Sequence, residues 1–188
     1  MISLMSLWLP VLLSAVVVFI ISSLIHTVLH YHNTDMRKLP NEERVADSLR
    51  GLDTPDGVYV IPHAGGMAEM KSPEFKAKFE KGPIAIITLA KSGGNMSMAP
   101  HMLQWFCYCL VVSIFAAYIA SRALAPGAPY LSVFRFAGAT AFFCYGVAIW
   151  QESIWMRRPW STTTKNTIDA LVYGLFTAGV FGWLWPQV

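Results

Sequence analysis

Four apolar runs, each long enough to cross a hydrocarbon core, constrain this 188-residue chain more than any motif in it. A helix rises about 1.5 Å per residue, so a core of about 30 Å takes about 20 residues. The runs are approximately Leu7–Leu29, Leu103–Ala120, Tyr130–Trp150 and Thr167–Trp185. With 55% hydrophobic and 13% charged residues, the chain is too apolar for an ordinary soluble domain. The predicted fold class is all-α transmembrane: a four-helix membrane bundle with a small cytoplasmic α+β insertion. Residues 1–32 hold the first transmembrane helix, 33–100 the insertion, and 101–188 three further transmembrane helices at about 103–120, 130–150 and 167–185. No Lys or Arg precedes the first run, its core is long, and no small-x-small cleavage pattern closes it, so it reads as a retained helix rather than a secretory signal.

Basic residues set the expected orientation. Arg37, Lys38, Arg44, Arg50, Lys71, Lys76, Lys78, Lys81 and Lys91 lie between the first two runs, and Arg157, Arg158 and Lys165 between the last two. Only Arg122 and Arg135 fall near the other face. Both termini are therefore expected outside and the main polar loop in the cytoplasm. The same topology accounts for the net charge of +3 without invoking nucleic acid. Cys107, Cys109 and Cys144 fall within predicted spans and form no Cys-x-x-Cys pair, which argues for reduced structural thiols.

The insertion reads as ordered. "LPNEERVADSLRG" is a short helix starting at Pro40 or Asn41 and stopping at Gly51. "SPEFKAKFEKGP" is a second, capped by Ser72, with Pro73 at its first position and Gly82–Pro83 at its end; Phe75 and Phe79 give it an apolar stripe among lysines. "DGVYVIP" and "PIAIITLA" are strand candidates, too short to span lipid, that pair as a small sheet. "KSGGNMSMAPH" reads as a flexible loop into the second run. Neither "GGM" nor "SGGN" has the spacing or the lysine of a phosphate-binding loop.

In lipid, helices associate by close packing of small residues. Gly174, Ala178 and Gly182 offer such a face on the fourth run, and Ala116 and Ala120 on the second, for packing within the chain or against a partner. Trp150, Trp155, Trp160, Trp183 and Trp185 cluster at expected membrane boundaries, where an amphipathic indole is favoured. Arg135, about five residues into the third run, can snorkel to the interface.

All five histidines, His26, His30, His32, His63 and His101, fall on the cytoplasmic side of this topology. Ser22, His26 and His30 are spaced by four and would share one helical face. Thr140, Cys144, Ala148 and Glu152 would form a second polar stripe, with Tyr145 adjacent, and Asn166, Asp169, Tyr173 and Thr177 a third. Lipid penalises such groups, so they are expected to line a polar pocket. His-x-x-x-His on a helix can chelate a transition metal or ligate haem. The candidate ligand set is His26, His30 and His101, with Glu152 and Asp169 in support. A proton or ion pathway would use the same residues. His32, two residues from His30, reads as solvated, as does His63.

Enzyme classes are argued down. "HTVLH" lacks the glutamate of a zinc-protease motif, five histidines are too few for a multi-box di-iron desaturase, and no Gly-x-Ser-x-Gly elbow is present. "GPIAIITLAKSGGNMSMAPHMLQWFCYCLVVSIFAAYIASRAL" and "IWMRRPWSTTTKNTIDALVYGLFTAGVFGWLWP" resemble a pattern in a family of small, uncharacterised four-span bacterial inner-membrane proteins. The resemblance implies a bacterial inner-membrane location and a four-helix bundle, and it brings no catalytic residues. The leading expectation is a non-enzymatic accessory or scaffolding component, touching membrane lipid and other subunits or a second copy of itself through the fourth-run face or the insertion. A metal- or haem-binding membrane protein is the alternative, and a small ion or proton transporter a third.

Overall fold

The computed structural model describes residues 2–90 and 97–187. The first part of the "KSGGNMSMAPH" loop, with its "SGGN", therefore lies outside the described residues. The chain divides into two units, Met1–Arg37 with Ser97–Val188, and Lys38–Met96.

The larger unit is helical. A short 3₁₀ turn, Leu4–Leu7, is capped by the Ser3 hydroxyl, which accepts from the Met5 amide at 3.3 Å, and runs into α1, Trp8–Val28. The insertion, with three short helices of its own, intervenes in sequence before α5, Ala99–Ala123, which has Pro100 in its first turn, where a missing N–H costs nothing. Proline also precedes α6, Tyr130–Phe142. A π turn, Phe143–Val147, carries that helix towards α7, Trp150–Trp155, and α8 spans Trp160–Trp183. Helix α1 packs on α5 and α8, and α6 packs on the same two.

Three of these helical stretches are long and apolar enough to cross a membrane: Leu4–Val28, Ala99–Ala123 and Tyr130–Trp155. They support a multi-pass membrane protein. The fourth expected span is a continuous 24-residue helix but does not reach the same apolarity. Helix α8 starts seven residues earlier than expected, and its first turns carry Ser161, Thr162, Thr163, Thr164, Lys165, Asn166 and Asp169.

Small residues make the close contacts. A Cβ built on Gly138 of α6 would lie 2.8 Å from the Cβ of Ala178 in α8, and one on Gly146 would lie 2.8 Å from that of Ala170. A Cβ on Gly174 would come within 3.1 Å of the Gly138 carbonyl, and one on Gly182 would run into the Tyr130 ring. Gly174 and Ala178 thus sit inside the α6–α8 crossing. Ala116 and Ala120 are fully buried beside Val133, Ala137 and Phe181. Between α1 and α5, the buried Ser14 hydroxyl donates to that of Ser113 at 3.0 Å. On the outside the pattern inverts: Ile20, Leu24, Ile114 and Phe115 are about half exposed, the surface that lipid requires and water penalises.

Trp150, Trp155, Trp160 and Trp183 are exposed, but Trp185 is not at a surface. Its ring is buried and its indole N–H donates to the Ala125 carbonyl at 3.0 Å, tying the end of α8 to the α5–α6 connection. Arg135 lines a small groove between α6 and α8 with Phe134, Leu171 and Leu175.

The smaller unit holds α2 (Glu42–Arg50), β1 (Gly57–Ile61), α3 (Met67–Met70), α4 (Pro73–Lys81) and β2 (Ala85–Leu89). The strands pair antiparallel, Gly57 opposite Leu89 and Ile61 opposite Ala85. Ser72 caps α4 by accepting from the Phe75 amide at 3.1 Å, and Gly82 ends it at a φ of +61°, a conformation that favours glycine. Among its described residues none is buried.

The α6–α8 crossing yields a test. Gly138→Leu is expected to cost about 1–3 kcal/mol through overpacking. Gly179→Ala, whose new Cβ would come no nearer than 3.9 Å to the Tyr130 hydroxyl, should stay within about 0.5 kcal/mol of the parent. Thermal unfolding in detergent micelles compares the two.

Candidate metal centre and the adjoining cavity

The site begins where α1 stops. Val28 is its last helical residue, Leu29 is extended (φ −88°, ψ 113°), and His30–Thr34 form a 3₁₀ turn. His30 therefore leaves the helical face that the His26-x-x-x-His30 spacing assumes. The turn folds His32 back instead, and its ring stacks on that of His26 with centroids 4.6 Å apart and planes 20° from parallel.

Helix α8 supplies the other half. His32 lies between two carboxylates, its Nδ1 2.7 Å from Asp35 Oδ2 and its Nε2 2.8 Å from Asp169 Oδ2. Only a ring with hydrogens on both nitrogens donates to both at once. The Tyr31 hydroxyl donates to Asp169 Oδ1. Lys165 Nζ donates to Asp35 Oδ1 and to the Thr34 hydroxyl, each at 2.8 Å, and to the Tyr31 carbonyl, while the Thr162 hydroxyl donates to Asp35 Oδ1 at 3.2 Å. The Asp169 side chain is only 4% exposed, so this pairing is what makes its burial tolerable.

The electrostatics follow the geometry. Burial, then the hydrogen bond to Asp169 and the charges of Asp169 and Asp35, push the Tyr31 hydroxyl above its ordinary range. Burial alone would push the Asp35 carboxyl up. Hydrogen bonds from Lys165 and His32, with the Lys165 charge, outweigh it and hold that carboxyl below its usual value.

One ring nitrogen from each of His26 and His32 and one oxygen of Asp169 lie within 4.8 Å of one another. His26 Nδ1 is 3.1 Å from the Ser22 carbonyl, which can only accept, so this nitrogen carries the hydrogen. Of the five ligands expected from sequence, the structure brings His26 and Asp169 into this group. His30, His101 at the start of α5, and Glu152 in α7 are all exposed and stand outside it. Glu152 misses because the inward row of the third stretch is Val133, Ala137, Ala141, Tyr145 and Ser153, one residue out of phase with the expected stripe.

Sequence reasoning missed His32, Tyr31, Asp35 and Lys165. The available signals were the i,i+3 spacing of His32 and Asp35 and the i,i+4 spacing of Lys165 and Asp169, neither of which reveals that a turn joins them.

His26 and Asp169 also line a cavity of about 590 Å³. Its walls come from α1 (Ser22, Ser23, Thr27), the start of α5 (Met98, Met102, Trp105, Tyr108), the π turn and its end (Tyr145, Ile149), and α8 (Asn166, Tyr173). The Trp105 indole donates to the Ser22 hydroxyl at 2.7 Å, and the Tyr108 hydroxyl donates to the Cys144 carbonyl within the π turn at 2.7 Å.

Comparison with family models, with curated proteins and with solved structures returned no match.

Because the folded value of Asp35 lies below its unfolded one, its contribution is complete above the unfolded value and is lost as pH falls through the folded value. Asp35→Asn is expected to cost about 1–3 kcal/mol at neutral pH. The gap between variant and parent should shrink as pH drops below the ordinary carboxyl value of 3.8, read from melting temperatures across an acid series.

Proposed function

We propose that this is a membrane protein that holds a divalent transition-metal ion through His26, His32 and Asp169. The observation that carries the reading is the set of partners behind each ligand. Histidines that bind metals generally donate their other N–H to a carbonyl or carboxylate, which fixes the tautomer and aims the free lone pair. Here the Ser22 carbonyl takes that part for His26, Asp35 for His32, and the Tyr31 hydroxyl steadies Asp169. Two imidazoles and a carboxylate suit zinc, iron, copper or nickel, and three protein ligands leave a further coordination position. The ion would take the place of the hydrogen between His32 Nε2 and Asp169 Oδ2, now 2.8 Å apart, once the two moved apart by roughly half an ångström. A haem is less suited, because rings stacked face to face do not approach one iron from opposite sides.

In the same reading α8 also crosses the membrane and completes a four-helix bundle in a bacterial inner membrane, with both termini outside and the 38–96 unit in the cytoplasm. Three things support this: the outward apolar residues Leu171, Leu175 and Phe176 of α8, its packing on α6 and α1, and the basic residues concentrated on one side. A second reading, an accessory subunit, draws support from the smaller unit, where Val58 and Met67 are 63% and 66% exposed. Gly174 and Ala178 lend it nothing, being enclosed between α6 and α8.

Chelator-treated protein titrated with Zn²⁺ and assayed for bound metal is expected to take up one ion per chain. His26→Ala and His32→Ala should each abolish stoichiometric uptake, Asp35→Asn should weaken it about 10–100-fold, and His101→Ala and Glu152→Gln should leave it unchanged. Equal uptake by the parent and by the His26→Ala/His32→Ala double variant would end the metal reading.

A further inference from the structure

The aromatic half of the cavity has no part in the metal site. Trp105, Tyr108, Tyr145 and Tyr173 contact one another there, with ring centroids 5.4–6.2 Å apart. Tyr145 is 7% exposed and Tyr173 5%. The Tyr145 hydroxyl is enclosed without a hydrogen bond, with only the Cys109 thiol beside it, a weak partner. Tyr173 lines the cavity, and its hydroxyl finds no hydrogen-bond partner among the described residues. Asn166, also on the wall, is likewise without a side-chain partner there. Unlike the enclosed Tyr145 hydroxyl, the Tyr173 hydroxyl and the Asn166 amide stand open to the cavity, as groups that a bound molecule can engage.

We propose that the cavity seats a neutral, flat, carbonyl-bearing ring compound of the quinone or aryl-ketone class. Flatness follows from the walls, since the indole and phenol rings offer stacking and edge contacts to a planar ring. Carbonyl oxygens follow from the donors: the Tyr173 hydroxyl and the Asn166 amide offer hydrogens to the cavity, and neither carries charge. Neutrality follows from the charge balance, because Asp169, the buried charge on the cavity wall, is already matched by His32 and Tyr31. The volume of about 590 Å³ falls in the range of small-molecule sites and accommodates a one- or two-ring headgroup. The apolar flank formed by Met98 and Met102 suits a molecule that partitions into lipid.

The test uses the full chain in lipid nanodiscs, with 2-methyl-1,4-naphthoquinone as the probe and 2-methylnaphthalene, which has the same shape without carbonyls, as the control. Equilibrium dialysis should show saturable, one-to-one binding of the quinone, weakened about tenfold by Tyr173→Phe and again by Asn166→Leu. Both substitutions keep the size of the side chain and remove only polar atoms that face the cavity; a melting temperature matching the parent's confirms that folding is preserved. Equal affinity for the naphthalene would overturn the proposal and leave the cavity as apolar space filled by lipid chains. Unchanged affinity in both the Tyr173→Phe and the Asn166→Leu variants would overturn it too, since neither group would then face a ligand. The two readings fail separately: Tyr173 is no member of the metal group, so Tyr173→Phe should weaken quinone binding and keep zinc uptake at one ion per chain.

Discussion

The close approach of α6 and α8 is the contact on which the rest of the helical unit depends. Lipid supplies no hydrophobic drive to bring helices together, so they are held by surfaces flat enough for backbones to meet. Gly138, Gly146, Ala170, Gly174 and Ala178 provide such a surface. Because the two helices lie this close, α1 reaches α8 on one side and α5 reaches α6 on the other. The cavity opens between the helices at the end where larger side chains replace alanine.

The turn after α1 shows how polar groups are accommodated at such an end. Lys165, Asp35, His32 and Asp169 follow one another along one connected path, ammonium to carboxylate to imidazole to carboxylate, so each carboxylate on it has a partner. An arrangement of this kind fixes the direction in which the chain leaves α1. It also explains why a buried carboxylate is tolerated on a helix that is otherwise apolar towards its far end.

Much of this architecture was legible from local rules. Ser72, Pro73 and Gly82 mark the ends of α4 because capping needs a side-chain oxygen, a missing N–H and a positive φ at those points. The hairpin strands and the apolar helical stretches followed from runs of suitable residues. The site was legible only in part. His26 and Asp169 stood out as polar residues in apolar surroundings, but choosing His30 over His32 rested on α1 continuing one turn further, and helix ends are the weakest part of any pattern reading. Trp185 looked like an interfacial anchor because the indole is amphipathic; the Ala125 carbonyl satisfies its N–H inside the protein instead. Nothing in the sequence announced the π turn, since no single residue type encodes it.

That turn makes chain length a constraint in its own right. Phe143–Val147 is in effect a helix with one residue too many for its rise, and the surplus sets the phase of everything that follows. Losing any one of those residues would restore ordinary winding and swing the downstream segment by about 100°. Ser153, whose hydroxyl meets that of Thr163 at 2.6 Å, would turn away from α8. Variation in this helix is therefore confined to exchange of side chains, and a gap or an insertion between residues 143 and 147 in a related chain would mark a differently shaped cavity.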